Sequence, residues 1–365
     1  MKPELTRRKL IGLAGTTCGT WMLGSGRLLG AVDERSVADR AMEADRLIDD
    51  QVRRGDVAAA AFLVRKDGFE FARAYGRAKI ETPFLIASPT KPMTVSGLMW
   101  LRDHGQLQLS DPAQKFLPQF KGGGRDRVTI KHLLTHTSGL PDMLPENVEL
   151  RQRHAPLSEF VERTYRTPLL FRPGEKVGYQ SMGILLAAAI VEKISGEPAN
   201  GFLAKNIFAP LRMNRTSLGL GGRTIAETAQ CQVAERSDWD WNSAYWRNLA
   251  APWGGAHSTV HDLATFVGAF ATAESAPWPE STRREMLEVQ TGAYHPSYGL
   301  GWVREPGAFG KTCSPATFGH FGSTGTVVWH DPQSKITCVL LTTRPAEESR
   351  RSLLVPVSEI VGQRA

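Results

Sequence analysis

The chain has 365 residues, 41% of them hydrophobic and 22% charged, a globular composition with enough length for one large or two joined domains. Its formal charge of +7 is partly local: five of the 44 basic and one of the 37 acidic residues lie within 1–31, which leaves +3 for the rest. That balance gives no electrostatic case for a nucleic-acid partner, and the four cysteines show neither metal-ligand nor redox spacing.

Arg7-Arg8-Lys9 precedes a weakly apolar stretch rich in Gly, Ala and Thr that runs to Val32. This resembles a twin-arginine export signal, with Leu29-Gly30-Ala31 as a candidate cleavage site, so residues 1–31 read as an address. Arg27 and the polar interruptions fit poorly with a transmembrane anchor, and no later run has spanning length. The expectation is an exported, periplasmic or secreted protein without a stable membrane span once the signal is removed.

Apolar positions at Val37, Ala41, Ala44, Leu47, Ile48 and Val52 amid charges predict an amphipathic helix over 34–54. Ala59 to Val64, a turn at Lys66-Asp67-Gly68, and Phe69 to Ala72 predict a β-hairpin. Next, Ser88-Pro89-Thr90-Lys91 opens a helix with apolar Val95, Leu98, Met99 and Leu101, stopped near Gly105. Positions i and i+3 share a helical face, so Lys91 can lie beside the Ser88 hydroxyl. A serine needs a base to become a nucleophile, and a lysine serves if burial lowers its pKa. The bland alternative is a capping serine with a solvated lysine.

Val128 to Leu140 predicts a short helix ending at Gly139. His132 and His136 are four apart, as are His257 and His261, but neither pair has the adjacent glutamate or a third ligand of a zinc helix. Both pairs read as structural, with no metal and no cofactor. Tyr179-Gln180-Ser181 leads into a buried helix ending near Gly196; packed-aromatic and helix-cap readings of Tyr179 and Ser181 stand beside any catalytic one. Residues 202–213 read as helix, 239–253 as a Trp-rich loop, and Val260 to about Ala271 as a helix. Strand-like segments return at Tyr298–Val303, Gly325–Trp329 and Ile336–Thr342, and a helix closes the chain from about Ala346 to Val361.

Strands at both ends around a helical middle predict an α/β (α+β) fold: an antiparallel sheet built from both chain ends, flanked by helices, with an inserted mainly helical region. The expected division is 32–104 plus 256–345 for the sheet domain, 346–365 for the terminal helix, and 105–255 for the insert. A cleft between sheet and insert is the natural place for a site.

Three segments then line up in order: Ser88-Pro89-Thr90-Lys91, Tyr179-Gln180-Ser181 and His320-Phe321-Gly322-Ser323. Together they resemble the serine β-lactamase and penicillin-binding-protein superfamily, most closely the class C β-lactamase-related hydrolases, peptidases and esterases. The resemblance implies Ser88 as the acylated nucleophile, with Lys91 and Tyr179 as its base and acid, in an order that residue types leave open. It implies an oxyanion hole from the backbone N–H groups of Ser88 and Ser323, with His320 and Gly322 on the sheet edge beside the cleft.

Two positions depart from the family pattern. Phe321 stands where a hydroxyl is usual, which weakens a grip on a substrate carboxylate and argues against efficient β-lactam or D-Ala-D-Ala chemistry. Ser181 stands where an asparagine is common, and Arg344 is the expected partial replacement for anion binding. Lys311-Thr312-Cys313 lacks the glycine of the third motif, and no Gly-x-Ser-x-Gly elbow exists in the chain. The expectation is therefore a serine hydrolase working on a small-molecule acyl substrate, first an ester. A D-amino-acid peptidase or weak β-lactamase is the alternative within enzymes, and a non-catalytic binding protein on the same fold the alternative outside them.

Overall fold

The computed structural model describes residues 36–271 and 276–363. The export-type segment and Cys18 lie outside the described residues. Five antiparallel strands form the main sheet: β1 (Ala59–Lys66), β2 (Phe69–Gly76), β6 (Phe318–Gly322), β7 (Thr326–Asp331) and β8 (Ile336–Thr342), in the order β2-β1-β8-β7-β6. The predicted hairpin is β1–β2, in register from Ala59↔Gly76 to Lys66↔Phe69. Ala60↔Thr342 then joins the N-terminal hairpin to the C-terminal strands, so both chain ends build one sheet.

Both faces of the sheet are covered, which explains why Ala59 to Val64 is an unbroken apolar run: all six residues are buried. Ala60, Phe62, Trp329 and Leu340 point toward helix α1 (Val37–Arg53) and the C-terminal segment. Ala61, Leu63, Val328 and Leu341 point to the other core, shared with α2 (Thr90–Asp103) and the Val260–Ala271 helix. Edge strand β2 alternates instead, as a half-solvated strand should. Helix α1 starts at a capping box between Ser36 and Asp39 and buries Ala41, Ala44 and Ile48.

The middle of the chain is mainly helical, with the Ser181–Ser195 helix packed on α2. Three features depart from the sequence reading. Tyr298–Val303 is a loop with single bridges Tyr298↔Val303 and Val303↔Gly319; Gly301, at φ 78°, donates to the Leu134 carbonyl instead of a ladder. The helix expected over 202–213 is Ala199–Leu203 followed by a wide turn to Phe208. A small second sheet, which no periodicity marked, joins β3 (Phe84–Leu85), β5 (Ala256–Ser258) and β4 (Ser217–Leu218) in the order β3-β5-β4. Its strands are too short to leave a two-residue rhythm in the sequence.

Candidate active site

Ser88 sits between β3 and α2, where the chain turns sharply. Ala87 before it adopts φ 53°, a left-handed conformation uncommon outside glycine, and Pro89 caps α2. The turn is held from both sides. Ile86 donates its N–H to the Ala256 carbonyl, while the Thr324 and Thr326 hydroxyls donate to the Leu85 and Ile86 carbonyls at 2.6 and 2.7 Å. Gly322, at the end of β6, is the close approach that makes this possible: a Cβ there would lie 2.1 Å from the Ile86 carbonyl oxygen. The glycine of the third motif thus lets the sheet edge and the serine turn meet, which brings Ser323 next to that turn.

Lys91 lies one turn along and is 1% exposed. Its Nζ donates to Ser88 Oγ at 3.1 Å and to the Trp253 carbonyl at 2.9 Å. Burial drives its pKa down to about 7, against the raising influence of the Asp142 carboxylate. Tyr179 Oη donates to the same Ser88 oxygen at 2.9 Å, and the Lys91 ammonium sits 4.8 Å from the tyrosine ring centroid. Desolvation raises the Tyr179 pKa above the ordinary phenol value, although its bond to Ser88 opposes this. The three residues singled out in sequence therefore converge on one oxygen, with the amine closer to its neutral form than the phenol to its anion.

The remaining expected residues divide. His320 is buried beside the site, with its ring 6.2 Å from that of Tyr179; burial, reinforced by the charge of Lys91, lowers its pKa to about 3, so it is neutral. Phe321 is half-buried, stacked on Phe309 at 5.3 Å and covered on its other face by the Arg350 guanidinium at 4.3 Å. Ser181 is buried and gives its hydroxyl to Asp142 at 2.6 Å, so it holds that carboxylate, with its backbone N–H adding a second bond at 3.0 Å. Arg344 is not brought to the serine: its side chain pairs with Asp56 at 3.6 Å and Glu348 at 3.3 Å, on the outer side of the β8 end. Arg350 lies nearer than Arg344: its guanidinium covers Phe321, and its charge adds to the burial and the Lys91 charge that lower the His320 pKa.

Sequence reasoning missed Arg350, Asp142, Trp253 and the two threonines. Asp142 and Trp253 belong to loops within the expected 105–255 insert and carry no motif of their own. Arg350 lay in a stretch read only as an amphipathic helix. The histidine pairs also separate in space. Helix α3 (Ile130–Leu134) ends before His136, which takes φ 60° and turns beneath the site, its ring 4.7 and 4.6 Å from those of Tyr179 and Tyr298. His132 stays on α3 as part of a capping box with Thr129. His257 lies in β5, buried against the Gly219 carbonyl, and His261 pairs with Glu70 on the outside. Among the described residues no group of three His, Cys, Asp or Glu side chains is placed to hold a metal, and no helix is long and apolar enough to cross a membrane.

Known proteins extend the likeness over the chain. Protein flp of Staphylococcus aureus (strain N315) is 26% identical over 233 residues, which is 58% of this chain and 47% of that protein. The chain thus matches about half the length of that relative. Among solved structures, EstCE1, a hydrolase with promiscuous acyltransferase activity, superposes with a TM-score of 0.76 at 21% identity, covering 90% of this chain and 100% of its own. The D-amino acid amidase of Ochrobactrum anthropi SV3, complexed with L-phenylalanine amide, gives 0.72 at 22% identity, covering 89% and 96%. These two show the fold. The family model described as Beta-lactamase matches residues 44–358, nearly all of the described chain, and the protein belongs to the beta-lactamase family.

Proposed function

We propose that the protein is an exported serine hydrolase that forms an acyl-enzyme on Ser88, with small acyl esters as its first substrate class. The observation that carries this is the convergence of Lys91 Nζ and Tyr179 Oη on Ser88 Oγ at 3.1 and 2.9 Å, with Lys91 lowered to about 7. Neutral Lys91 is the better acceptor of the serine proton, because burial brings its free-base form within reach at neutral pH and pushes the phenolate away. Ser88 Oγ then attacks the ester carbonyl and its proton passes to Lys91. Tyr179 O–H donates to the departing alkoxide and recovers a proton from the Lys91 ammonium. Water reverses the sequence and releases the acid. The Ser88 and Ser323 N–H groups are the proposed oxyanion donors, each worth about 3 kcal/mol in the transition state.

Phe321 offers no hydroxyl to a substrate carboxylate, which favours an uncharged acyl or leaving group. A second reading, an amidase or peptidase on substrates with a free ammonium, draws support from Asp142. Its carboxylate acts on Lys91, Tyr179 and Tyr298 and belongs to an exposed residue at the site.

The test compares turnover of a short-chain aryl ester, a D-amino-acid amide and a penicillin by the wild type and Ser88→Ala. Ser88-dependent ester turnover with an intact mass shifted by the acyl group supports the first reading. Ser88-dependent amide turnover exceeding that of the ester moves the assignment to the second, and no Ser88-dependent chemistry on any of them refutes the proposal. For the ester, kcat/KM should rise with pH through about 7 as Lys91 loses its proton. A flat profile between pH 6 and 8 would remove Lys91 from the role of base. Fractionation of the producing cells, with the protein recovered outside the cytoplasm in a form lacking the first residues, tests export.

A further inference from the structure

The main sheet has a second concavity at the ends of its strands opposite Ser88. Gly322 and Thr326 mark the serine end of β6 and β7, whereas Phe318 and His330, at their other ends, line a cleft of about 1130 Å3. Four residues of strand separate Phe318 from Gly322, roughly 13 Å of backbone. The Val260–Ala271 helix, the Glu280–Leu287 helix and the β1–β2 turn complete its walls.

Charge is concentrated here. Among the described residues six basic and two acidic side chains line the cleft, a net charge of +4. Two of the six are occupied: Arg65 pairs with Glu70 and Lys335 with Asp67. Lys66, Arg212 and Arg284 are lining residues with no ion pair among the described residues. Leu287, Pro210 and Pro332 add apolar surface to the lining, with Phe270 and Phe318 buried behind it. Gly268 lines this space on the Val260–Ala271 helix, and a Cβ added there would meet none of the described residues within 4 Å.

The geometry points to a second, non-catalytic binding site in this cleft for a small organic anion with an apolar body. Cations at the rim take the charged group, and the apolar lining takes the body. Clefts of a few hundred to about a thousand Å3 with an apolar lining and few convergent polar groups are the ordinary form of a small-molecule site. Like-charged side chains gathered around one cleft repel each other until an anion neutralises them.

The test is calorimetric titration of the full chain carrying Ser88→Ala with three probes: 1-naphthyl phosphate, inorganic phosphate and 1-naphthol. Naphthyl phosphate should bind one per chain, at least about tenfold tighter than either fragment, and weaken as salt is raised. Gly268→Leu, which fills the space, and Arg284→Glu, which reverses a rim charge, should each weaken it by about tenfold or more. Melting temperatures of both variants serve as the folding control, and the exposed position of Arg284 makes that variant the safer of the two. Naphthyl phosphate binding no tighter than phosphate would overturn the proposal. So would binding that survives both variants, since it would then lie elsewhere. Neither outcome touches the assignment of Ser88.

Discussion

Two cationic side chains among the described residues are less than 2% exposed, Lys91 and Arg247, and neither has a carboxylate partner. Arg247 is surrounded by acceptors: Trp241 O, Ala229 O and Asn242 Oδ1, each at 2.9 Å, and the Thr228 hydroxyl. A guanidinium stays charged even when burial lowers its pKa, so the protein supplies acceptors for nearly all its donors. Lys91 has two partners, the Trp253 carbonyl and Ser88 Oγ, and one of these is itself a hydroxyl with a proton to give. That set falls short of what an ammonium needs: one N–H goes to the carbonyl and one to the serine oxygen, with no acceptor for a third among the described residues. The difference teaches how the same burial yields a structural cation in one region and a candidate base in the other. What decides it is the count of acceptors, and the ability of the side chain to lose a proton.

The comparison breaks first at Lys91. Lys91→Met should lower ester kcat/KM by about 10⁴-fold or more, as expected when a nucleophile loses its base. It should also raise the melting temperature. The folded-state pKa of about 7 lies below the unfolded value of 10.5, so the folded chain binds fewer protons between those pH values. Wild-type stability therefore climbs with pH across that window, and the advantage of the Met variant is greatest below pH 7 and gone above 10.5. Melting curves of both proteins at pH 6 and pH 10 check the sign. Equal melting temperatures at pH 6 would mean that Lys91 is solvated and its lowered pKa wrong.

Tyr179→Phe sharpens the same region. It removes the phenol but keeps the ring against His136 and Tyr298. The expected loss is about 10²–10³-fold in kcat, the range for a general acid, with little change in melting. The loss should shrink for esters with better leaving groups, which need less protonation. A loss independent of the leaving group would assign Tyr179 to positioning Ser88 alone.

Arg247→Met tests the other side. Truncating the guanidinium removes the donor to the Trp241 and Ala229 carbonyls and the Thr228 hydroxyl, while Asn242 Oδ1 keeps the Cys231 N–H, at a cost of about 2–4 kcal/mol. Turnover per folded molecule should stay within a few-fold, because Arg247 touches none of Ser88, Lys91 and Tyr179. Denaturant unfolding separates the two quantities. A variant of unchanged stability would show that solvent reaches this pocket.

How much of this was legible follows the same division. Ser88, Lys91 and Tyr179, which the fold brings together, stood out because their spacing and order suggest chemistry; the hairpin and the final strands stood out as short apolar runs bounded by turns, and the closing helix by its amphipathic pattern. Arg247, Trp253 and Asp142 could not, since an isolated residue in a loop gains its role only from what the fold sets beside it. Arg344 was chosen for its place after the last strand, yet Asp56 and Glu348 draw its side chain outward, and Arg350, two turns of chain later, covers Phe321 instead. Ser181 matched a motif position, but it bonds a carboxylate that the motif does not contain.

The smallest effect expected is at His132, and it separates two histidines that spacing alone could not. His132 Nδ1 accepts the Thr129 N–H at 3.2 Å, and its own N–H donates to the Thr129 hydroxyl at 3.3 Å. Its contacts with Gln180 run through its backbone carbonyl, at 3.0 Å, which an alanine keeps. His132→Ala thus removes one half of a capping box, worth about 0.5–1 kcal/mol, and should leave kcat and KM unchanged within twofold. His136, four residues on, has left the helix and lies under Tyr179 with its Nε2 buried and unpartnered among the described residues. His136→Ala would open a void beneath the Tyr179 ring, so its kcat should fall where that of His132→Ala does not. Equal kinetics for the two variants would mean that the ring of Tyr179 is held from elsewhere, and that i and i+4 histidines here differ in place but not in consequence.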